Sequence, residues 1–228
     1  MWKYMLTLPL LSLDESVRAL TSGMLLVFPT ETLYGLGCNA MNVKAVEAVF
    51  RLKRRPLDKA LPLIIGAREQ FDLVAQPASA RKRRIMDAFW PGPLSLLCQA
   101  RSHLPGVITA GSGRVALRLS SHPAARLLCR ESGLALVATS ANISEQPAPV
   151  RLEELDARLV KGVAGVFYMP PEPSGDMPST VVDILEEEED DALRILRPGA
   201  VSEDALHAAG FAVRGPTLSE SGVGSGYI

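Results

Sequence analysis

The chain has few of the features that would assign it to a specialised class of protein. Its 228 residues include three cysteines, and aromatic residues make up 5% of the sequence. Cys38, Cys98 and Cys129 are widely spaced and form no C-x-x-C pair, so they predict reduced thiols rather than a disulfide framework. No apolar run approaches the roughly 20 residues that span a bilayer, and no signal-peptide pattern opens the sequence. We therefore expect a soluble, cytoplasmic protein without a membrane segment.

Several catalytic and cofactor-binding motifs are also missing. The sequence contains no G-x-x-x-x-G-K-[ST] loop and no G-x-S-x-G elbow, and its three histidines are isolated from one another, so no metal site is predicted. Residues 35–40 do match G-x-G-x-x-A, the relaxed dinucleotide fingerprint. Six residues, 29–34, separate this motif from the preceding predicted strand, whereas the dinucleotide-binding turn follows its strand directly. The spacing therefore disfavours a nicotinamide or flavin cofactor.

The composition favours one globular domain with a full core. Hydrophobic residues make up 47% of the chain, and 24 basic against 25 acidic residues give a net charge of −1. This balance argues against a nucleic-acid binder that depends on a basic tail. We predict a domain over residues 1–212 and a Gly/Ser-rich tail over 213–228, with the acidic run 186–191 as a solvated hairpin loop.

Helical and extended patterns alternate along most of the chain. The capping and apolar spacing predict helices that begin near Ser12, Asn42, Arg81, Pro123, Arg151 and Ser202. Short apolar runs predict strands at 24–28, 61–65, 94–98, 115–119, 134–138, 163–168, 180–185 and 193–196. Because several connections are short, we predict an α/β fold with a mixed sheet rather than a strictly parallel one.

Three segments carry residue types suited to binding anions. Residues 29–37 place two threonines, a glutamate and two glycines directly after a strand, where the glycines would allow a tight turn. Residues 51–59 contain five cations, including Arg51 and Arg55, which repel each other on one helix face unless an anion lies there. Residues 138–144 place small polar side chains after a strand, where ligands usually bind in α/β sheets. Each segment also has an alternative interpretation without a ligand. Residues 29–37 would then be an ordinary loop, 51–59 a solvated helix end and 138–144 a simple turn.

Taken in order, these segments resemble the YrdC-type threonylcarbamoyl-AMP synthase family. The family patterns [YF]-P-T-[ED]-T-x-Y-G-L-G, K-x-R-P and S-x-N stand here at 28–37, 53–56 and 140–142. Further matches lie at 90–94, 115–118, 179–183 and 196–199, so the resemblance covers roughly residues 12–212. The family's longer members carry a second, C-terminal domain, for which we expect this sequence to be too short.

The resemblance implies a twisted, largely antiparallel mixed sheet, flanked by helices, that encloses a basic concave cavity. It also implies an enzyme that converts L-threonine, bicarbonate and ATP, with Mg²⁺ bound to the ATP, into threonylcarbamoyl-AMP and pyrophosphate for tRNA modification by partner proteins. By motif position, it implies Lys53 and Arg55 as catalytic cations. ATP would be held by Arg55, Lys59, Ala138, Ser140, Asn142 and Arg197, and threonine by Thr32, Arg118 and Ser179.

Some positions depart from the pattern of the longer members. Lys59 stands where they often have Asn, and Ile64 where they often have a threonine-contacting His. Arg114 replaces a small residue, and Ala148 replaces a hydroxyl. The family also contains paralogues with the same fold, so the alternative is a protein without synthase activity. Such a protein would bind tRNA, double-stranded RNA or nucleotides, using the basic runs at 51–59 and 81–84.

Overall fold

A computed structural model describes residues 9–175, 177–184 and 192–214 of the chain. The helices are α1 (Leu13–Thr21), α2 (Val43–Lys53), α3 (Ala80–Phe89), α4 (Gly106–Thr109), α5 (Pro123–Ser132), α6 (Ala157–Val160) and α7 (Glu203–Ala208). The strands are β1 (Leu26–Pro29), β2 (Tyr34–Gly37), β3 (Leu63–Ile65), β4 (Leu94–Gln99), β5 (Arg114–Leu119), β6 (Leu136–Val137), β7 (Thr139–Ser140), β8 (Thr180–Ile184), β9 (Leu193–Arg197) and β10 (Val213–Arg214). Within these residues, no helix is long and apolar enough to cross a bilayer.

The strands form two sheets. One has seven strands in the order β10-β9-β8-β4-β5-β3-β6, and the other has three in the order β1-β2-β7. The pairs β1-β2, β2-β7, β3-β6, β4-β5 and β8-β9 are antiparallel, whereas β3-β5, β4-β8 and β9-β10 are parallel. This arrangement confirms the predicted α/β class with a mixed sheet. The seven-stranded sheet contains three antiparallel and three parallel pairs, so it is not largely antiparallel as predicted.

The predicted capping residues begin three of the helices. Ser12 caps α1 in a capping box with Glu15, whose carboxylate accepts a 2.8 Å hydrogen bond from the backbone N–H of Ser12. Asn42 caps α2, and Ser202 caps α7, in each case by accepting a bond from the backbone N–H three residues later. These local signals position α2, whose C-terminal end supplies cations to the site described below.

The structure corrects the prediction for residues 151–160. Instead of one helix, this segment forms a 3₁₀ turn (Leu152–Glu154) followed by α6. Asp156 caps α6 by accepting a 2.7 Å bond from the backbone N–H of Arg158, so its side chain starts a new helix. The predicted strand at 163–168 is also wrong, since Val166 makes only isolated bridges to Leu10 and Val27.

Two predicted segments lie wholly or largely outside the described residues. The acidic run 186–191 lies outside the described residues. Strands β8 and β9 precede and follow it in the chain. Of the predicted tail, residues 213–214 form β10 and pair in parallel with β9, so the sheet includes the beginning of this segment. Residues 215–228 lie outside the description.

Residues 34–37 form strand β2 rather than the predicted tight turn. Neither Gly35 nor Gly37 has a positive φ, so conformational freedom does not explain them. A Cβ on Gly37 would lie 2.3 Å from the carbonyl oxygen of Val137 and 2.7 Å from the ring of Phe28. The glycine is therefore required by the close approach of neighbouring chain segments.

Alternate side chains of the seven-stranded sheet face different surroundings. On β5, Val115, Leu117 and Leu119 pack into the main core, to which α2 and α3 contribute. A second core lies between α1, α5 and the strands β1 and β6. The intervening β5 position Ala116 instead clusters with Ala60 and Val181. These short side chains leave space above the sheet, and that space is a cavity.

Candidate anion-binding site

The cavity lies between the two sheets and has an empty volume of about 930 Å³, including its mouth. Its floor is formed by Ala60, Ala116 and Val181, and the loop between β1 and β2 lies on the opposite side. Three guanidinium groups enter the cavity, from Arg55, Arg118 and Arg197. An apolar floor with convergent cationic donors is suited to a ligand that carries carboxylate or phosphate groups.

Arg118 is held by an ion pair beneath the cavity. Its side chain is 7% exposed, and Nη1 donates a 2.6 Å hydrogen bond to Oε1 of Glu31. The Oε2 atom of Glu31 accepts a 2.5 Å bond from the hydroxyl of Ser120, which is fully buried. Arg118 and Ser120 both belong to the β5 segment and are two positions apart, so they reach the same carboxylate from one face of the sheet.

Arg197 projects from the end of β9 and is fixed by Ser179. Its Nη2 donates to the carbonyl oxygen of Ser179 at 2.9 Å and to the hydroxyl of Ser179 at 3.0 Å. Burial, together with smaller contributions from the charges of Arg118 and Arg55, lowers the pKa of Arg197 to about 10. This mutual repulsion indicates that the three guanidiniums lie close enough to share one anionic ligand.

Arg55 follows α2, and its side chain stabilises the turn that leads to Ala60 in the cavity floor. Its Nε donates to the carbonyl oxygen of Lys59 at 3.1 Å, and Nη2 donates to that of Ala60 at 2.8 Å. Burial lowers the pKa of Arg55, while the neighbouring Asp58 acts in the opposite direction. These two bonds leave three of the five guanidinium N–H groups for a ligand, and Arg55 lines the cavity.

A second cavity, with an empty volume of about 1090 Å³, shares Arg55 and Ser140 with the first. Lys53 lines it but is only 1% exposed. Its Nζ lies 2.5 Å from the carbonyl oxygen of Ser140, 2.7 Å from that of Asn142 and 3.0 Å from Oδ1 of Asn142. All three ammonium hydrogens therefore have acceptors, and they hold the 140–142 turn in place.

The loop between β1 and β2 is stabilised by hydrogen bonds within the loop and by bonds from the segment at 170–175. Thr30 and Thr32 are buried, and their hydroxyl oxygens lie 3.2 Å apart. From the segment at 170–175, the backbone N–H groups of Ser174 and Gly175 donate to the carbonyl oxygens of Glu31 and Thr32 at 3.2 and 3.0 Å. This segment therefore forms a strap that fixes the loop from outside the cavity.

The structure brings all ten predicted site residues to these two cavities. The first cavity is lined by Thr32, Arg55, Arg118, Ala138, Ser140, Ser179 and Arg197. The second is lined by Lys53, Arg55, Lys59, Ser140 and Asn142. The roles predicted for these residues are not decided by their positions alone, and Lys53 as a catalytic group stays a prediction. Its saturated ammonium favours a positioning role.

Of the four positions that depart from the family pattern, Ile64 and Arg114 have contacts that explain the residue found there. Ile64 packs into the second core and is 1% exposed, so it does not reach the ligand space. Arg114 pairs with Asp183 through two hydrogen bonds, one of 2.8 Å. Ala148 lines a neighbouring groove together with Asn142.

Sequence reasoning missed Glu31 and Ser120 as site residues. Glu31 lies inside the P-T-E-T motif, so its position alone could have drawn attention to it. Its partner Arg118 is 87 positions away in the chain. No local pattern predicts that contact. The small floor residues Ala60 and Ala116 were missed for a similar reason, because only the sheet reveals that they share a face.

Together, the mixed sheet and the cavity lined by three guanidinium groups define an α/β protein with a cationic cavity. A sequence model of the Sua5, YciO and YrdC proteins, described as telomere recombination, matches residues 18–199. This match spans more than half of the chain, and the chain therefore belongs to the Sua5/YciO/YrdC family.

Relatives of known structure or curated sequence support this assignment. The chain is 36% identical over 211 residues to a threonylcarbamoyl-AMP synthase of Bacillus subtilis, covering 92% of this chain and 58% of that protein. It is 38% identical over 161 residues to a protein of the same name from Stenotrophomonas maltophilia, covering 69% and 86%. The crystal structure of P. abyssi Sua5 complexed with L-threonine superposes with a TM-score of 0.78 at 30% identity, covering 89% and 58%. The chain thus spans less than two thirds of the length of two of these relatives.

Proposed function

We propose that this protein forms threonylcarbamoyl-AMP from L-threonine, bicarbonate and ATP. The observation that carries the proposal is the convergence of Arg55, Arg118 and Arg197 on one cavity with an apolar floor. Support also comes from the relatives above, which carry the name of this synthase at 36% and 38% identity. The product would serve partner proteins that modify tRNA.

The reaction needs no nucleophile from the protein. The threonine amine attacks the carbon of bicarbonate, and loss of water leaves an N-carboxylate, the carbamate. One carbamate oxygen then attacks the α-phosphorus of ATP, and pyrophosphate departs with the electrons of the broken P–O bond. Both partners of the second step are anions, so the chief task of the protein is to align them and to offset their repulsion.

The cations divide this task between the two cavities. We assign the threonine carboxylate to Arg118, with Thr32 and Ser179 beside it on the cavity wall. Arg55 lies at the junction of the cavities and suits the α-phosphate, while Lys59 and Arg197 suit the remaining phosphates or the nucleotide. Ala138, Ser140 and Asn142 would contact the nucleotide. Mg²⁺ would enter bound to the ATP phosphates, since it prefers phosphate and water oxygens.

Mass spectrometry provides the direct test. Incubation with threonine, bicarbonate and MgATP should yield threonylcarbamoyl-AMP together with one pyrophosphate for each molecule formed. Omission of either threonine or bicarbonate should abolish both products. Pyrophosphate release that is independent of threonine would contradict the proposal.

The RNA-binding alternative depends on the basic runs, and the structure gives part of one run another role. Arg84 in α3 lies 5.0 Å from the ring centroid of Phe211 and donates to the carbonyl oxygen of Gly210 at 3.2 Å. It therefore helps to hold the segment after α7. A thermal-shift assay separates the alternatives: stabilisation by ATP and threonine supports the synthase, and stabilisation by RNA alone supports the binding module.

A further inference from the structure

We infer that Glu31 and Ser120 are positioning residues that set the selectivity of the site for a free amino-acid carboxylate. The inference rests on the proposed function and concerns its amino-acid substrate. Glu31 does not line the cavity, whereas its partner Arg118 does. Glu31 therefore acts on a ligand through the guanidinium that it holds.

The hydrogen bonds around Glu31 form a directed chain. The backbone N–H of His122 donates to the hydroxyl of Ser120 at 3.2 Å, and that hydroxyl donates to Oε2 of Glu31. The other carboxylate oxygen accepts from Nη1 of Arg118. Because each donor in the chain orients the next acceptor, the carboxylate of Glu31 has a single favourable rotation.

The main chain of Glu31 is fixed as firmly as its side chain. Its carbonyl oxygen accepts a 2.9 Å bond from the hydroxyl of Ser174 and a 3.2 Å bond from the backbone N–H of the same residue. The carboxylate is thus anchored at both ends before a ligand arrives. An anchored carboxylate holds the guanidinium of Arg118 at a fixed angle, which lowers the ordering cost of binding.

The charge balance explains why this arrangement favours a carboxylate on the amino acid. An unpaired Arg118 would add a third net positive charge to the cavity and would attract any phosphate group. When Arg118 is paired with Glu31, the two formal charges cancel. Arg118 then recognises a ligand through the direction of its hydrogen-bond donors rather than through net charge. The remaining donors of the planar guanidinium match the two oxygens of a carboxylate, while Arg55 and Arg197 keep their net charge for phosphates.

The test compares binding of L-threonine with that of L-threonine amide, which lacks the carboxylate, by calorimetry. The wild-type protein should prefer threonine. Glu31→Gln keeps the size of the side chain and removes its charge. It should weaken threonine binding about tenfold and change amide binding by less than about twofold, whereas ATP binding should become tighter because the unpaired Arg118 attracts phosphate. Ser120→Ala removes one hydroxyl and should weaken threonine binding about threefold. Glu31→Asp retains the charge and should restore part of the preference.

Asp183→Asn is a matched control, because Asp183 on β8 pairs with Arg114, which lies on the same strand as Arg118, and Asp183 does not line the cavity. It should lower the melting temperature without changing the ratio of threonine to amide affinity. An unchanged ratio in both Glu31→Gln and Ser120→Ala would overturn the inference and leave the proposed function intact. Equal losses of threonine, amide and ATP binding would also overturn it, since they indicate general loss of structure. A wild-type protein that binds ATP but neither amino acid would overturn the inference together with the proposed function.

Discussion

The ammonium group of Lys53 lies 2.7 Å from the carbonyl oxygen of Asn142 and 3.0 Å from its side-chain oxygen. A lysine at the end of α2 thereby fixes a turn that is 89 positions away in the sequence. Since the hydroxyl of Ser140 also donates to Oδ1 of Asn142 at 2.6 Å, the turn is held as one unit. Lys53 and Asn142 line the second cavity, while Ser140 lines both cavities. The first two predictions depend on this contact.

Replacement of Lys53 should disrupt the turn more than the fold. Lys53→Met keeps the apolar stem but leaves the acceptors of Ser140 and Asn142 without their donor, at a cost of about 1–3 kcal/mol for the unsatisfied groups. Removal of a buried charge offsets part of this cost. We expect ATP affinity to fall at least about tenfold, measured by calorimetry.

Lys44→Met is the matched control, because Lys44 lies on the same helix with its side chain exposed. It should leave ATP affinity within about twofold. ATP affinity that is equally high in both variants would show that the turn does not require the ammonium.

Binding of ATP should take up protons near neutral pH. Burial, with a smaller contribution from the charge of Arg55, lowers the pKa of Lys53 to about 7. A bound polyphosphate raises that pKa, so the fraction of Lys53 that is neutral near pH 7 takes up a proton when ATP binds. ATP affinity should therefore weaken as the pH rises above 7.

Calorimetry in buffers of different ionisation enthalpy measures this uptake directly. Lys53→Met should lose the lysine-dependent part, while proton exchange by ATP itself remains in both proteins. Identical uptake in the variant and the wild type would exclude Lys53 as the titrating group.

Loss of Arg55 should greatly slow turnover while leaving the fold intact. Arg55→Ala removes the bonds to the carbonyl oxygens of Lys59 and Ala60, which should cost about 1–2 kcal/mol of stability. Removal of one cation from the reacting phosphate should lower kcat/KM about 10²- to 10³-fold. Pyrophosphate release gives the rate, and circular dichroism gives the stability.

Arg51→Ala provides the comparison, since Arg51 has a side chain that is 69% exposed and only a 3.7 Å contact with Glu47. Its effect on kcat/KM should stay within about threefold. Wild-type turnover by Arg55→Ala would remove Arg55 from the reaction.

A methyl group at Gly37 should destabilise the protein even though its φ is unstrained. The added carbon would meet the carbonyl oxygen of Val137 at 2.3 Å, so backbone has to move. We expect Gly37→Ala to cost about 3 kcal/mol of unfolding free energy. Gly106→Ala adds the same carbon where no atom lies within 4 Å, and it should change stability by less than about 0.5 kcal/mol. Equal midpoints in denaturant for the two variants would contradict this explanation of Gly37.

Local signals were sufficient for much of the architecture. The caps at Ser12, Asn42 and Ser202 begin helices because their bonds involve residues three positions away. The prediction of a single helix over 151–160 was wrong because Asp156 makes a cap of the same kind and starts a separate short helix. Strand β2 was missed because the fit of Gly37 against Val137 depends on a segment 100 positions later, which no local pattern reveals.

The candidate site was predictable in its members but not in its internal contacts. Motif positions identified Arg55, Arg118 and Arg197, and these side chains do share one cavity. That Arg118 is neutralised by Glu31, and that Lys53 has all its donors engaged, follows only from the three-dimensional arrangement. Sequence patterns specify which chemical groups are present, whereas the sheet determines which of them meet.

The floor formed by Ala60, Ala116 and Val181 presents short side chains to the cavity. A substrate bound there would cover the side chains of the cavity floor. Ligand occupancy therefore adds to folding stability, and the protein should be hardest to unfold when its cavity is filled.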